Sequence, residues 1–425
     1  MKTLIKNGTL VNPRGLSGKY DVLVEDGVVA SIAPAIEVQA DEVIDAQGCW
    51  VMPGFIDMHC HLREPGQEYK EDIATGTLAA AYGGFTGVAC MPNTKPVNDD
   101  KTVTSYILTR AKEVGSARVY PVASITKGLK GEELTEMGIL LEQGAVAFSD
   151  DGRPVADSNR MRLALQYAKN FNALLISHCE DISLVGEGVM NEGYWSALCG
   201  LKGITRVAEE NMIARELLLA EAYDARIHIA HISTEGGVEL LRHAKARGVR
   251  ATGETCPHYF SATDEWCTSY DTNTKMNPPL RTDRDVEAIK RGLADGTIDV
   301  LATDHAPHHI DEKNVEFNIA LNGIVGFETA FSLAVTNLIN TGVLTPEQLV
   351  ERLSAKPAEL LGVEGGKLAE GAPADITIAD PAASIVYSGE DLHSKSKNSP
   401  FLGKPYQGKV LLTMMGGRIT AHRER

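Results

Sequence analysis

The sequence predicts an α/β protein: a (β/α)8 TIM barrel with a small β-sandwich-like domain formed by both termini. Three observations lead there. Eight short β-rich runs alternate with helical patterns through the middle of the 425-residue chain, strand-like runs without such helices fill both ends, and similar polar donors recur where the middle runs stop. A chain of this length has room for one barrel and a smaller domain, and 43% hydrophobic with 23% charged residues is ordinary for a globular protein.

The first fifty residues read as short strands: "TLIKNGTLV", then "YDVLVEDGVVASIAP" with Asp26-Gly27 as a hairpin turn, then "EVIDAQGCWVMPG". The same texture returns in "ADITIADP" and "GKVLLTMMGGRIT". These ends predict one β domain assembled from residues 1–53 and 362–425, with the barrel spanning 54–361.

Within the barrel the strand candidates are "FIDMHCHL", "TGVACMP", "RVYPVAS", "AVAFSDD", "ALLISHCE", "RIHIAHIS", "VRATGETCPHY" and "DVLATDHAP". Helical candidates between them include "DIATGTLAAAYGG", "KTVTSYILTRAKEVG", "SNRMRLALQYAKN", "ITRVAEENMIARELLLAEAYD" and "GGVELLRHAKARG", several ended by glycine. Crossovers of this length imply a parallel sheet, and eight units favour a closed barrel over an open doubly wound sheet.

The bulk properties exclude several function classes. A net charge of −16 from scattered acidic residues argues against a nucleic-acid or anionic-membrane surface. Seven cysteines form no CxxC and are odd in number, which suggests neither a disulfide framework nor a zinc knuckle; they read as reduced and mostly buried. "MKTLIKNGTLVNPRG" has no apolar core fit for a signal peptide, and no run is long enough to span a bilayer, so a cytoplasmic location is expected.

The stretch "GFIDMHCHLREPG" carries the first chemical signal. On a regular strand His59 and His61 point the same way while Met58, Cys60 and Leu62 point the other. Further donors follow at the ends of later runs: Arg63, Asn93, Asp150-Asp151, His178, His231, and Asp304 with His305 and His308. In a barrel all these ends meet at one rim, where such enzymes keep their active sites. Four histidines and two carboxylates (His59, His61, His178, His231, Asp151, Asp304) suit divalent zinc, cobalt or manganese, and six donors exceed what one tetrahedral ion uses, which argues for a two-metal site. His228 shares the parity of Ala230 and faces opposite to His231 on a regular strand; His243, His258, His305 and His309 read as surface or supporting residues, and Asp150 as a turn residue beside Asp151.

The motifs "PGFIDMHCHLREPG", "MPNTKP", "FSDDG", "ISHCE", "AHIS", "NPPLR", "ATDHAPH" and "GIVGFETA" resemble the amidohydrolase superfamily, and within it the class I dihydroorotases, over nearly the whole chain. The resemblance implies that His59, His61 and Asp304 hold one zinc ion, that His178 and His231 hold a second, and that Asp151 bridges them. It implies further that Arg63, Asn93, Asn277 and His308 bind the small-molecule substrate, L-dihydroorotate or N-carbamoyl-L-aspartate, with backbone around Asn322 and Gly323 contributing. It also implies that Asp304 is the catalytic proton carrier in a step of pyrimidine biosynthesis. Two departures stand out. Hydantoinases, dihydropyrimidinases and allantoinases typically carry a carboxylated lysine on the fourth strand, where this chain has "AVAFSDDG"; and related chains often have Pro-Phe where Leu321-Asn322 stands. Those cyclic amidases are the rival reading, and an inactive dihydroorotase-like subunit scaffolding aspartate transcarbamoylase is a second, although no metal ligand is lost here. A homodimer and an association with transcarbamoylase remain open as partners.

Overall fold

The computed structural model describes all 425 residues. Its centre is an eight-stranded parallel sheet built in chain order from β1 (Phe55–Cys60), β2 (Phe85–Cys90), β3 (Arg118–Ala123), β4 (Ala147–Ser149), β5 (Leu175–Ser177), β6 (Ile227–Ile229), β7 (Ala251–Thr255) and β8 (Val300–Leu301). All eight predicted runs are therefore strands of one sheet. The sheet closes just past β8, where Cys60 pairs in parallel with His305 and the His61 amide donates to the His305 carbonyl at 2.8 Å. At the same seam the buried Asp57 carboxylate accepts from the amides of Thr303 (3.0 Å) and His59 (3.1 Å) and from the Thr303 hydroxyl, and burial pushes its pKa up to about 7.

Helices follow the strands: α1 (Ile73–Tyr82), α2 (Lys101–Val114), α3 (Met137–Gln143), α4 (Ser158–Lys169), α5 (Val207–Tyr223), α6 (Glu235–Ala246), α7 (Asp283–Ala294) and α8 (Phe327–Ala334). Local chemistry starts them. Asp72 and Thr282 build capping boxes before α1 and α7, and the Thr234 side chain accepts from Gly237 N before α6. α8 is buried on all sides. Its phenylalanines lock onto the first strands, with ring centroids 5.8 Å apart for Phe55 and Phe331 and 5.6 Å for Phe85 and Phe327.

Two layers of core result. Ile56, Met58, Ala89, Met91, Val122, Ile176, Ala230 and Val300 fill the barrel, while Phe55, Val88, Leu175, Ile227 and Ile229 face the helices. The alternation in β1 departs from the regular one. Ile56 and Met58 both face the barrel interior, and a register shift between Asp57 and Cys60 then turns Cys60 and Leu62 toward the helices, so Met58 does not share their face as a regular strand would have it. An irregularity of this kind re-aims side chains, and this one lies beside both histidines.

The chain ends form two more sheets. One orders strands Val28–Ala33, Asp21–Glu25, Lys2–Lys6 and Glu42–Asp45; the other orders Arg418–His422, Pro405–Met415, Ile376–Val386, Trp50–Pro53, Thr9–Leu10 and Gly18–Lys19. Trp50–Pro53 pairs antiparallel with Ile376–Ala379, so both ends of the chain share a sheet, and Ile5, Val22, Leu10, Val51, Ile376 and Leu412 pack between the two layers. The Asp26-Gly27 turn is present, with φ of 51° and 86° at its two residues. "TLIKNGTLV" is two strands, not one. It breaks at Asn7 (φ 64°) and Gly8, where a Cβ would come within 2.5 Å of Val51, and its halves enter different sheets. Six of the seven free cysteines are buried, and no helix is long and apolar enough to cross a membrane.

Replacing Asp57 with alanine leaves three buried donors at the seam unpaired, and the expected cost is about 3 kcal/mol in the urea-unfolding free energy. A loss below about 1 kcal/mol would show that this clasp does not hold the barrel closed.

Candidate metal centre and substrate pocket

The rim of the barrel gathers the predicted donors around one carboxylate. Asp151, just past β4, has Oδ1 at 3.2 Å from His59 Nε2, 3.6 Å from His231 Nε2 and 3.7 Å from His178 Nδ1, and Oδ2 at 3.4 Å from His61 Nε2. Asp304 Oδ1 stands 3.2 Å from His61 Nε2 and 3.6 Å from His59 Nε2. His178 Nδ1 and His231 Nε2 lie 2.8 Å apart. Two donor triads result, His59-His61-Asp151 and Asp151-His178-His231, each buried and each with its donor atoms within 4.8 Å of one another.

Backbone geometry delivers two of these side chains and the neighbouring Arg63. His231, Asp304 and Arg63 adopt φ of 33°, 47° and 63°, a region that non-glycine residues seldom occupy. Alternation alone puts His228 and Ala230 inside the barrel and would turn His231 toward the helices; the left-handed backbone at His231 carries its imidazole back over the barrel mouth.

The arrangement fits divalent cations. His59 Nε2 and Asp151 Oδ1 are buried and have no hydrogen-bond partner, a costly state for two polar atoms unless something else satisfies them. Burial opposes a proton on His59, but the carboxylates of Asp151, Glu254 and Asp304 outweigh it and raise its pKa well above the usual imidazole value. Burial likewise opposes charge on Asp151, yet His59 and its neighbours hold that carboxyl well below the usual range. Cations between these groups would meet the same attraction.

A second layer fixes which nitrogen three of the four rings offer inward. His59 Nδ1 meets Glu254 Oε1 at 2.7 Å, His61 Nδ1 meets Asn93 Oδ1 at 3.0 Å, and His178 Nε2 meets Glu180 Oε2 at 3.3 Å. Each outer nitrogen faces an acceptor and so keeps its proton, and a bound cation would take the inner nitrogen in place of any second proton. Glu254 also bonds His228 Nε2 at 3.2 Å, and His228 Nδ1 reaches Thr252 Oγ1 at 2.8 Å, so His228 is a support beneath the centre. Asp150 is a turn residue: its carboxylate accepts from the amides of Ile125 and Thr126, and burial raises its pKa to about 6. His305 stacks on Phe327 and accepts from the Gly326 amide.

Beside the centre lies a cavity of about 210 Å³ whose lining includes Arg63, Asn93, Asn277, His308, Asn322 and Gly323, with Ala306 the one hydrophobic residue, a composition suited to a small charged molecule. Arg63 Nε donates to the Pro307 carbonyl at 3.1 Å, which aims the guanidinium, and Nη2 lies 3.5 Å from His308 Nε2. His308 Nε2 lies 2.7 Å from the Asn322 carbonyl, which can only accept, so the ring proton sits on Nε2, while Nδ1 has the Lys70 ammonium and the Glu312 carboxylate each at 3.4 Å. Burial, with Arg63, Lys70 and Lys313 nearby, drives the His308 pKa down to about 2, and the ring is neutral. Gly323 has φ 127°, and a Cβ there would come within 2.7 Å of Ala306 and 3.2 Å of His308, so a side chain at this point would intrude on the pocket. Asn93 lines the cavity, but its amide oxygen is taken by His61 and its nitrogen reaches the Asp151 carbonyl at 3.4 Å. Asn277 contacts Glu180, which joins it to the His178 side of the centre.

Sequence reasoning did not nominate Glu254, Glu180, Asp57, Lys70, Lys275 or Lys313. Glu180 stands two residues after His178, a spacing that could have flagged it; the partners of the others are set by the fold alone.

The Glu254→Gln variant removes the anchor of the His59 tautomer, and its expected effect is a loss of about 10–100-fold in metal affinity. Chelator competition followed by metal analysis measures it, and an affinity equal to the parent protein's would refute the anchoring role.

A dihydro-orotase-like family model matches residues 48–236. The chain is 56% identical to the dihydroorotase of Acetivibrio thermocellus over 98% of each chain, and 56% identical to that of Geobacter metallireducens over the full length of both. Among solved structures it is similar to the L-hydantoinase (dihydropyrimidinase) from Arthrobacter aurescens, with a TM-score of 0.90 and 27% identity, covering 100% of this chain and 96% of that one. The dihydropyrimidinase from Brevibacillus agri, at 24% identity and a TM-score of 0.85, shares the fold.

Proposed function

The chain belongs to the dihydroorotase family, and we propose that its rim pocket interconverts L-dihydroorotate and N-carbamoyl-L-aspartate, a step of pyrimidine biosynthesis. One observation carries the reading at the level of residues: a four-histidine, two-carboxylate centre faces a buried arginine and a neutral histidine across a single polar cavity. The first half can activate water and a carbonyl, and the second can hold a carboxylate.

We assign His59, His61 and Asp304 to one zinc ion and His178 and His231 to a second, with Asp151 shared. Such ions, when bound, lower the pKa of water from 15.7 to about 7 and polarise a carbonyl oxygen. The chain's own residues do the rest. Asp304, bordering the cavity and next to both His59 and His61, takes the proton of the attacking water on its carboxylate and hands it to the ring nitrogen as the amide bond breaks. Ring closure runs the same proton path backwards.

Arg63 grips the substrate carboxylate with its planar fork. His308 is neutral and so adds no second charge; its one N–H, on Nε2, is held by the Asn322 carbonyl at 2.7 Å and becomes a donor to the carboxylate when it exchanges that partner. Asn93, Asn277 and the backbone at Asn322-Gly323 border the rest of the ring. This carboxylate clamp, with Asp151 at the fourth strand in place of a lysine, favours dihydroorotate over the uncharged rings of hydantoin or dihydrouracil. The free and mostly buried cysteines accord with a reducing cytoplasm.

The deciding assay presents purified, metal-analysed protein with L-dihydroorotate, hydantoin and dihydrouracil in parallel. Turnover of dihydroorotate alone is expected; turnover of hydantoin without dihydroorotate would sink the reading. The Arg63→Lys variant, which loses the fork, is expected to raise KM for dihydroorotate about tenfold or more, and unchanged steady-state kinetics would count against the clamp. The Asp304→Asn variant should lower kcat by about 10²–10⁴-fold. Metal stoichiometry measured on the same preparation separates loss of proton transfer from loss of an ion, and full activity in that variant would remove Asp304 from the proton path.

A further inference from the structure

Two lysines lie buried beside the pocket, and neither has a carboxylate within ion-pair distance. Lys313 donates from Nζ to the carbonyls of Leu321 (2.8 Å), Gly323 (3.1 Å) and Lys275 (3.3 Å). Lys275 in turn donates from Nζ to the carbonyls of Asn318 (2.9 Å) and Ala320 (2.8 Å). Four of these five acceptors belong to residues 318–323, the loop that brings Asn322 and Gly323 to the cavity. The Gly323 amide closes the circuit on the Lys275 carbonyl at 3.0 Å, and Asn398 Nδ2 holds the Gly323 carbonyl from the other side at 3.0 Å.

Burying an ammonium without a counter-ion is unfavourable, and burial holds Lys313 at about 7 and Lys275 at about 8, below the usual lysine value. The compensating contacts go almost wholly to one loop. That loop matters twice to the pocket: its Gly323 borders the space for substrate, and its Asn322 carbonyl fixes the His308 ring at 2.7 Å. We propose that Lys313, with Lys275 beside it, is a positioning residue that holds loop 318–323 in the shape the substrate meets. The proposal rests on dihydroorotate being the molecule this pocket binds.

Two measurements on Lys313→Met and Lys313→Gln test it. Amide hydrogen exchange of the peptide spanning 318–323 is expected to accelerate about tenfold or more relative to the unmodified chain. KM for L-dihydroorotate should rise about tenfold while kcat stays within about threefold and bound metal is unchanged, the pattern of lost ground-state positioning. Unaltered exchange in a folded variant overturns the proposal, as does a fall in kcat at constant KM. Should Lys313→Met not fold, Lys313→Gln, which retains an N–H donor, and Lys275→Gln carry both measurements. Failure of the unmodified protein to turn over dihydroorotate would refute the functional reading by itself, while hydrogen exchange would still decide whether Lys313 holds the loop.

Discussion

One carboxylate, that of Asp151, stands within 3.7 Å of four imidazoles drawn from three different strand ends, and the architecture follows from keeping that buried cluster together. Burial takes water from all of these groups at a cost, so they must be held by something stiffer than themselves. The barrel supplies that stiffness. Its interior below the site is filled by Met58, Met91, Ile176 and Ala230, its seam is clasped by Asp57 and Thr303, and an outer layer of acceptors turns three of the four imidazoles to a set orientation. Left-handed backbone at Arg63, His231 and Asp304 is strain that persists only because the surrounding structure over-determines it.

The two halves of the pocket are built differently. Metal donors sit on or directly after strands, where packing on both faces leaves little freedom. Substrate-facing groups sit on loops, and their geometry is kept by side chains bonding to backbone: Arg63 to Pro307, Asn398 to Gly323, and two lysines to loop 318–323. Such a division lets the chemistry at the centre stay constant while ring recognition varies with the loops, consistent with a shared fold between this chain and proteins named hydantoinases.

Much of this was legible in the sequence, for definite reasons. All eight barrel strands could be read because buried parallel strands are short apolar runs, and the metal donors because histidine and aspartate stand out at the ends of such runs. α8 was seen as a motif and not as a helix, since burial on every side erases the amphipathic period. That Cys60 and Leu62 face away from Met58 could not be read, because an irregularity breaks the alternation on which facing rests. Glu254 was hidden for a different reason: its partner His59 lies 195 residues away, and nothing local in "VRATGETCPHY" distinguishes a carboxylate that points inward. Lys275 and Lys313 were the least visible of all, since their partners are carbonyls, which every residue has. Asn277 became a candidate only through resemblance to a family.

The sheet shared by the two chain ends has a consequence for how the protein is made. Strand Trp50–Pro53 pairs with a segment beginning at Ile376, so the first fifty residues leave the ribosome without their neighbour. At ordinary rates of synthesis that neighbour follows on the order of tens of seconds later. Meanwhile the whole barrel is produced, and it can fold on local strand-helix-strand contacts before the ends meet. The terminal sheet then works as a fastening made last, and a nascent chain that stalls inside the barrel keeps an open sheet edge exposed to chaperones or to other chains.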